Sequence, residues 1–272
     1  MSNQAEKADR FLALHHKPSP LLLPNPWDQG SARLLASLGF SALATTSSGH
    51  AASLGRLDGS VSKDEALAHA ALITSATDLP VSADLENCFA DDPAGVADTI
   101  GSAVRTGLAG ASVEDFTGDA DAPIYDASLA AERVRAAVEG AHRGPVHLVL
   151  TARAENYLHG RPDLADTVAR LQAYQEAGAD VLYAPGLTRL DEIRELVTSV
   201  DRPVNVLALP GGPTVAELGE AGVSRISVGG SFTFTALGAM VEAARELLGE
   251  GTYGYSTLAR TGRSAVNTAF GP

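Results

Sequence analysis

Short apolar runs alternate with longer amphipathic stretches along the chain. The runs fall at 21–25 (LLLPN), 41–46 (SALATT), 80–86 (PVSADLE), 110–115 (GASVED), 146–153 (VHLVLTAR), 179–185 (ADVLYAP), 203–209 (PVNVLAL) and 225–230 (RISVGG). Each is nearly continuously apolar, the pattern of a parallel strand buried on both faces. Helical spacing fills the intervals at 29–39, 62–76, 92–107, 125–142, 161–178, 188–200, 214–222 and 231–249. Gly39 sits where a helix C-cap belongs, and Ser62 with Glu65 three residues on forms a capping box. The polar opening MSNQAEKADR reads as one more helix start.

Eight strand-then-helix units in a row mean a closed parallel barrel or an open doubly wound sheet. The count of eight, the lack of a glycine-rich dinucleotide fingerprint after the first strand and the lack of a linker favour the barrel. The prediction is a single α/β (β/α)8 TIM-type barrel domain over residues 1–272, with a C-terminal extension from about 249. That tail, GTYGYSTLARTGRSAVNTAF, reads either as a helix packing on a neighbouring subunit or as a frayed end.

In such a barrel the chemistry sits at the C-terminal strand ends. Those ends carry Asp84 and Glu86 on the third strand, Glu114 on the fourth and Arg153 on the fifth, with Asp58 in the segment after the second. Crowded carboxylates raise one another's pKa unless a cation sits among them. Oxygen-rich acidic clusters suit a hard divalent ion, and Arg153 offers a planar fork to a substrate carboxylate. TTSSG at 45–49 is expected to be a loop presenting N–H groups and hydroxyls to an anion. His15, His16, His69, His142 and His147 fall in tails, helices or a strand start without metal-ligand spacing, and read as structural. His50 and His159 lie nearer strand ends, and Cys88 reads as a small buried hydrophobe.

Charge and composition narrow the partners. A net charge of -13 argues against nucleic acid, whose phosphates demand a basic face. The single cysteine excludes an intrachain disulfide and fits a reducing compartment. The N-terminus lacks a basic-then-apolar leader, and no apolar run is long enough to span a bilayer, so a cytoplasmic location without a membrane partner is expected.

These segments resemble the isocitrate lyase/phosphoenolpyruvate mutase superfamily. NPWDQGSARLLASLGF is similar to its "N-x-W-D-x-x-S-A-R" opening, and TTSSGHAASLGRLD to its strand-two loop ending in Asp58. PVSADLEN, ASVEDF, TARAEN, QAYQEAGADVLYAPG and GVSRISVGG follow in the family's order and spacing, from Phe11 to about Gly249. The resemblance implies Mg2+, with Mn2+ as a substitute, held by Asp84 and Glu86 with Asp58 and Glu114 direct or through waters. It implies Thr46, Ser47 and Ser48 on the carboxylate of a small 2-oxo or 2-hydroxy acid, and Arg153 on the substrate oxygens. Asn205 would meet the distal part of the substrate, and Trp27 would wall the pocket. It also implies a homo-oligomer, a dimer or a tetramer, that exchanges a C-terminal helix.

Departures matter as much as matches. Lyases of the superfamily carry a "K-R/K-C-G-H" loop with the catalytic acid/base; here TGDADAPIYDASLAAERV holds no cysteine, lysine or histidine. The mutases' lysine and asparagine are also missing from that loop, and Ala184 replaces their histidine after strand six. Cys88-Phe89-Ala90 stands where "G-Y-G" is usual. The expected activity is Mg2+-assisted C–C cleavage or decarboxylation of a (di)carboxylic 2-oxo or 2-hydroxy acid through an enolate-like intermediate, by a carbon-carbon lyase other than a standard isocitrate or methylisocitrate lyase. The alternatives are P–C chemistry of the phosphonopyruvate type and a non-catalytic 2-oxo acid binding protein.

Overall fold

The computed structural model describes residues 2–271. Eight parallel strands lie at Leu21–Leu23 (β1), Leu43–Ala44 (β2), Val81–Asp84 (β3), Gly110–Glu114 (β4), Val149–Arg153 (β5), Val181–Tyr183 (β6), Val204–Leu207 (β7) and Arg225–Ser227 (β8). They pair in the order β1-β8-β7-β6-β5-β4-β3-β2. At the remaining seam the Ala44 amide donates to the Pro24 carbonyl (3.1 Å) and the Asn25 side-chain amide to the Thr45 carbonyl (2.8 Å), so β1 and β2 complete a (β/α)8 barrel.

Helices alternate with the strands. They are α1 (Gln4–Leu14), α2 (Gln29–Ser37), α3 (Ser47–Ser53), α4 (Lys63–Ser75), α5 (Pro93–Val104), α6 (Ala127–His142), α7 (Leu164–Glu176), α8 (Leu190–Thr198), α9 (Val215–Glu220), α10 (Ser231–Gly249) and α11 (Ser256–Phe270). Side-chain caps start most of them: Asn3 with Glu6, Asp28 with Ser31, Ser62 with Glu65 and Thr214 with Glu217 form reciprocal boxes. Close packing sets some glycines. At Gly140 an added Cβ would come 2.8 Å from the Ala97 carbonyl oxygen, so only glycine lets α6 lie this tightly on α5.

The strands are not apolar on both faces, as their composition implies. Residues facing the helices (Val81, Ala83, Ala111, Val113, Leu150, Ala152, Leu182, Val206, Ile226) belong to the main hydrophobic core. Every second residue faces the axis, and there the lining is polar: Ser82 and Asp84, Ser112, Arg153, Tyr183, Asn205, Arg225 and Ser227 border one central cavity. Only the floor of the barrel is an apolar plug, where Phe11 and Leu14 of α1 meet Leu21, Leu23, Val149 and Val181.

The tail forms α11, which lies on α2 of the same chain, with the Arg33 guanidinium 5.4 Å from the centre of the Phe270 ring. Helix α10 buries only Thr233 and leaves Phe234, Met240 and Leu248 exposed. No helix among the described residues is long and apolar enough to cross a membrane.

Candidate active site

Strand register brings the acidic residues to one rim. Glu114 pairs with Arg153, and Asp84 pairs with Ser112 one pleat below Glu114, so three consecutive strands end in charge. The Arg153 guanidinium donates to Asp84 Oδ1 (2.9 Å), reaches Glu114 Oε2 (3.1 Å) and donates from Nε to Glu155 Oε1 (2.8 Å). Three carboxylates from β3, β4 and the β5 end thus fix one arginine. Burial disfavours its charge, but these carboxylates outweigh that and raise its pKa well above the ordinary value.

The balance of charge is negative. Burial, then Asp84 and Asp58, pushes the Glu86 carboxyl up to about 7. Burial also drives Glu114 and Glu155 upward, each with the charge of neighbouring carboxylates added and Arg153 opposing. Asp58, at the outer lip of the cavity, is raised by desolvation and by Asp84. Five carboxylates face a single guanidinium, and four of them resist ionising. An all-oxygen, electron-rich group of this kind fits a hard divalent cation, which would let those carboxyls ionise.

The residue next to Glu114 is also raised by burial but differs in its partners. Asp115 is equally buried but points into the helical layer, where it accepts from Tyr174 Oη (2.6 Å), Arg170 Nη1 (3.2 Å) and the Glu155 amide (2.7 Å). Its donors match its lone pairs, and it ties β4 to α7.

The loop after β3 is held in an expensive conformation. Glu86 (φ 51°), Cys88 (φ 62°) and Phe89 (φ 55°) all occupy the left-handed region that favours glycine. Each costs about 1 kcal/mol or more, so the surroundings must enforce it. Arg133 of α6 does so from below: Nη1 donates to the Glu114 carbonyl (3.1 Å), and Nη2 to the Asn87 (2.5 Å) and Ala90 (2.9 Å) carbonyls. The Tyr125 ring stacks on this guanidinium at 3.9 Å. Cys88 is fully buried, its thiol is pushed by burial up to about 12, and it is no nucleophile.

The 45–49 segment differs from the loop expected there. Thr46 caps the short helix α3, and its hydroxyl accepts from the Gly49 amide (3.3 Å). The Ser47 amide donates to Asp84 Oδ2 (3.1 Å). These two amides are therefore spent inside the protein, and what the segment shows the cavity is the Thr46–Ser48 hydroxyl pair, 3.1 Å apart. Trp27 also departs from expectation. It is not among the residues bordering the cavity; its carbonyl meets His69 Nε2 (3.0 Å) and its Cβ lies behind Gly49. His50 stacks on His69 and His159 on Phe116, both off the cavity wall.

The cavity, about 200 Å3, is bordered by Thr46, Ser47, Ser48, Asp58, Asp84, Arg153 and Asn205. That is below the roughly 300–1,000 Å3 of drug-sized pockets and suits a small acid. Glu114 lies behind Arg153, and Glu86 opens on an adjoining cleft with Asp84.

One residue that the strand ends do not reveal completes the wall. Arg225, first in β8, is 4 % exposed. It donates to Asn205 Oδ1 (2.9 Å) and Thr151 Oγ1 (3.1 Å) and meets His15 Nε2 at 3.1 Å, all neutral partners. His15 Nδ1 meets the Phe11 carbonyl at 2.8 Å, so Nδ1 carries the proton and Nε2 accepts from Arg225. Burial, then the Arg225 charge, lowers His15 to about 3 and keeps it neutral. Burial lowers Arg225 itself to about 10, which leaves it charged at neutral pH without a carboxylate to pair with among the described residues. Tyr183 lies beside it, its hydroxyl 3.4 Å from Ser227 Oγ. The signal in the sequence is a charged residue opening an otherwise apolar strand, two positions before Ser227 on the same face.

The segment after β4 closes on itself. Phe116 bridges Ile124, and the Thr117 amide donates to the Pro123 carbonyl (2.9 Å).

Comparison with known proteins agrees with this architecture. The profile described as phosphoenolpyruvate phosphomutase matches residues 11–248. A crystal structure from Burkholderia cenocepacia J2315, described as a putative lyase/mutase, superposes with a TM-score of 0.95 at 51% identity, covering 99% of this chain and 97% of that one. A structure from the same organism, described as a putative phosphonomutase, gives a TM-score of 0.83 at 37% identity over 92% of this chain and all of the other. The 2-methylisocitrate lyase of Escherichia coli K12 is 30% identical over 71% of this chain and 67% of its own.

Proposed function

The chain belongs to the phosphoenolpyruvate phosphomutase family, and from that premise we propose a Mg2+-dependent carbon-carbon lyase or decarboxylase acting on a small dicarboxylic 2-oxo or 2-hydroxy acid. The observation that carries this reading is the polarity of the cavity: excess carboxylate at the mouth, and an arginine without a carboxylate on the far wall. Asp84 and Glu86 would hold the ion, with Asp58 direct or through water, while Glu114, behind Arg153, would act through that guanidinium. A divalent ion held there would supply positive charge against the negative charge that bond cleavage develops.

The remaining steps fall to the protein's own groups. Arg153, locked by Asp84, Glu114 and Glu155, meets the substrate oxygens without swinging into place. The Thr46 and Ser48 hydroxyls donate to the near carboxylate. Arg225 and Asn205 take the distal one; a buried guanidinium without an anion costs several kcal/mol, which a bound carboxylate offsets. The self-closed segment after β4 offers no cysteine, lysine or histidine, which favours decarboxylation, because that step starts without an external acid.

A second reading has its own support. The likeness to a phosphonomutase, and an Arg225 that would equally receive a phosphonate, favour P–C chemistry. Screening oxaloacetate for pyruvate, and phosphonopyruvate for phosphoenolpyruvate or for pyruvate with phosphate, separates the two. Turnover of oxaloacetate alone is expected, and turnover of phosphonopyruvate alone replaces the first reading by the second. Tight Mg2+-dependent binding of a 2-oxo acid without product from either would instead indicate a binding protein. The exposed apolar side of α10 further supports a homo-oligomer, for which light scattering should give a dimer or tetramer mass.

A further inference from the structure

The opposite end of the barrel brings together three residues that the sequence keeps apart. His142 ends α6, His147 precedes β5 and Asp180 precedes β6, so all three lie at the N-terminal ends of the strands, away from Arg153. Their ligand atoms lie within 4.8 Å of one another. His147 Nε2 is 2.9 Å from Asp180 Oδ1, and His142 Nε2 is 3.5 Å from Asp180 Oδ2. Both Nε2 atoms thus lie on the Asp180 side, while the two imidazoles stack at 3.8 Å between centres with planes 23° apart, so one ring would turn for both lone pairs to meet a single ion.

Hydrogen bonding alone leaves this arrangement incomplete. Asp180 Oδ2 already accepts from the Leu150 amide (2.8 Å). His142 Nε2 is buried, and its 3.5 Å approach to the same oxygen is too long and too poorly aligned for a hydrogen bond. A buried nitrogen left without a well-formed hydrogen bond is unfavourable. One carboxylate needs only one imidazole, and a second stacked on the first is not explained by the pair alone.

The geometry points to a divalent transition-metal site made by His142, His147 and Asp180, with water completing the shell. Two imidazoles and one carboxylate select Zn2+ and its neighbours over Mg2+. Metal–ligand bonds of about 2.1 Å put neighbouring ligand atoms roughly 3–4 Å apart, close to the spacing found. The His147 side chain is 40% exposed, which leaves an open side for water and for entry of the ion. The Leu150 amide fixes the carboxylate from behind, as a supporting donor does in metal sites. The ion would tie the end of α6 to the starts of β5 and β6 and so act as a clamp independent of the catalytic mouth.

The test uses the full-length protein, stripped with a chelator and returned to excess Mg2+, which saturates the mouth carboxylates. Zn2+ is then titrated against a chromophoric competitor. One Zn2+ per chain is expected, with a rise in Tm. Asp84→Ala should leave that stoichiometry unchanged, while the double variant His142→Asn, His147→Asn should weaken Zn2+ binding at least a hundredfold. Should the double variant fold poorly, imidazole 15N shifts in the unaltered protein serve instead: two ring nitrogens should move on Zn2+ addition. Absence of Zn2+ uptake in excess Mg2+, uptake lost with Asp84→Ala, or uptake without imidazole shifts overturns the proposal.

Discussion

Two arginines face the same cavity under opposite regimes. Arg153, at the mouth, is held by Asp84, Glu114 and Glu155 and sits within an excess of negative charge. Arg225, on the floor side, has Asn205, Thr151 and a neutral His15, and no carboxylate pairs with it among the described residues. Burial costs both of them charge stability, yet the resulting pKa shifts run in opposite directions, upward for Arg153 and downward to about 10 for Arg225. The mouth therefore lacks a cation and the floor lacks an anion. A metal chelate of a diacid would supply both at once, which neither region alone would indicate.

The sharpest way to break this comparison is to empty the mouth. Asp84 anchors Arg153 through Oδ1 and accepts the Ser47 amide through Oδ2, so Asp84→Ala removes a proposed metal ligand and the register of the rim together. Mg2+-dependent turnover should be abolished; turnover that survived would remove the metal assignment.

The floor is tested next. Arg225→Gln keeps hydrogen-bonding capacity but removes the charge. If the floor receives a carboxylate, binding of a dicarboxylic acid should weaken about 10- to 100-fold, the scale of a lost charge-assisted bond of ~1.5–3 kcal/mol. A monocarboxylic 2-oxo acid such as pyruvate should be affected far less. Equal losses for both, measured by calorimetry in saturating Mg2+, would make Arg225 a structural plug.

His15 sharpens the same contrast through pH. Its folded pKa of about 3 lies below the ordinary 6.5, so the unfolded state binds the extra proton in that window. Its contribution to stability is full above pH 6.5 and is lost as pH falls toward 3. His15→Gln can still accept from Arg225 and donate to Phe11, and does not titrate. The difference in unfolding free energy between the two proteins should shrink by about 3 kcal/mol at most between pH 6.5 and 4. A parallel pH profile for both would show that His15 is charged or solvated in the fold.

The barrel was legible because its eight strands are short, apolar on the face toward the helices and each followed by a helix, most of them started by a side-chain cap. The acidic rim was legible because Asp84, Glu114 and Arg153 end their strands. Other features depend on contacts that no local pattern carries. Helix α3 was hidden in TTSSGHAAS because its polar start resembles a loop until Thr46 is seen capping Gly49. Trp27 looked like a wall of the pocket, but His69 and Gly49 hold it behind α3. Arg225 was invisible as a site residue because it opens its strand, where the fold ordinarily keeps stability rather than chemistry. The pairing of His142 and His147 with Asp180 required the ends of three elements to meet.

The smallest effect expected separates the mouth from the floor without measuring catalysis. Glu86 near 7 and the upward shifts of Glu114 and Glu155 mean that ionising these groups works against the metal-free fold. An ion that binds only the folded state at a hundred times its Kd stabilises by about 2.7 kcal/mol, or roughly 5 °C in Tm for a chain of this size. Mg2+ should produce that rise in the unaltered protein and in Arg225→Gln, because the floor takes no part in holding the ion. In Asp84→Ala the rise should vanish. If Arg225→Gln lost it as well, the mouth and the floor would be one coupled network, and the division of labour between the two arginines would fail.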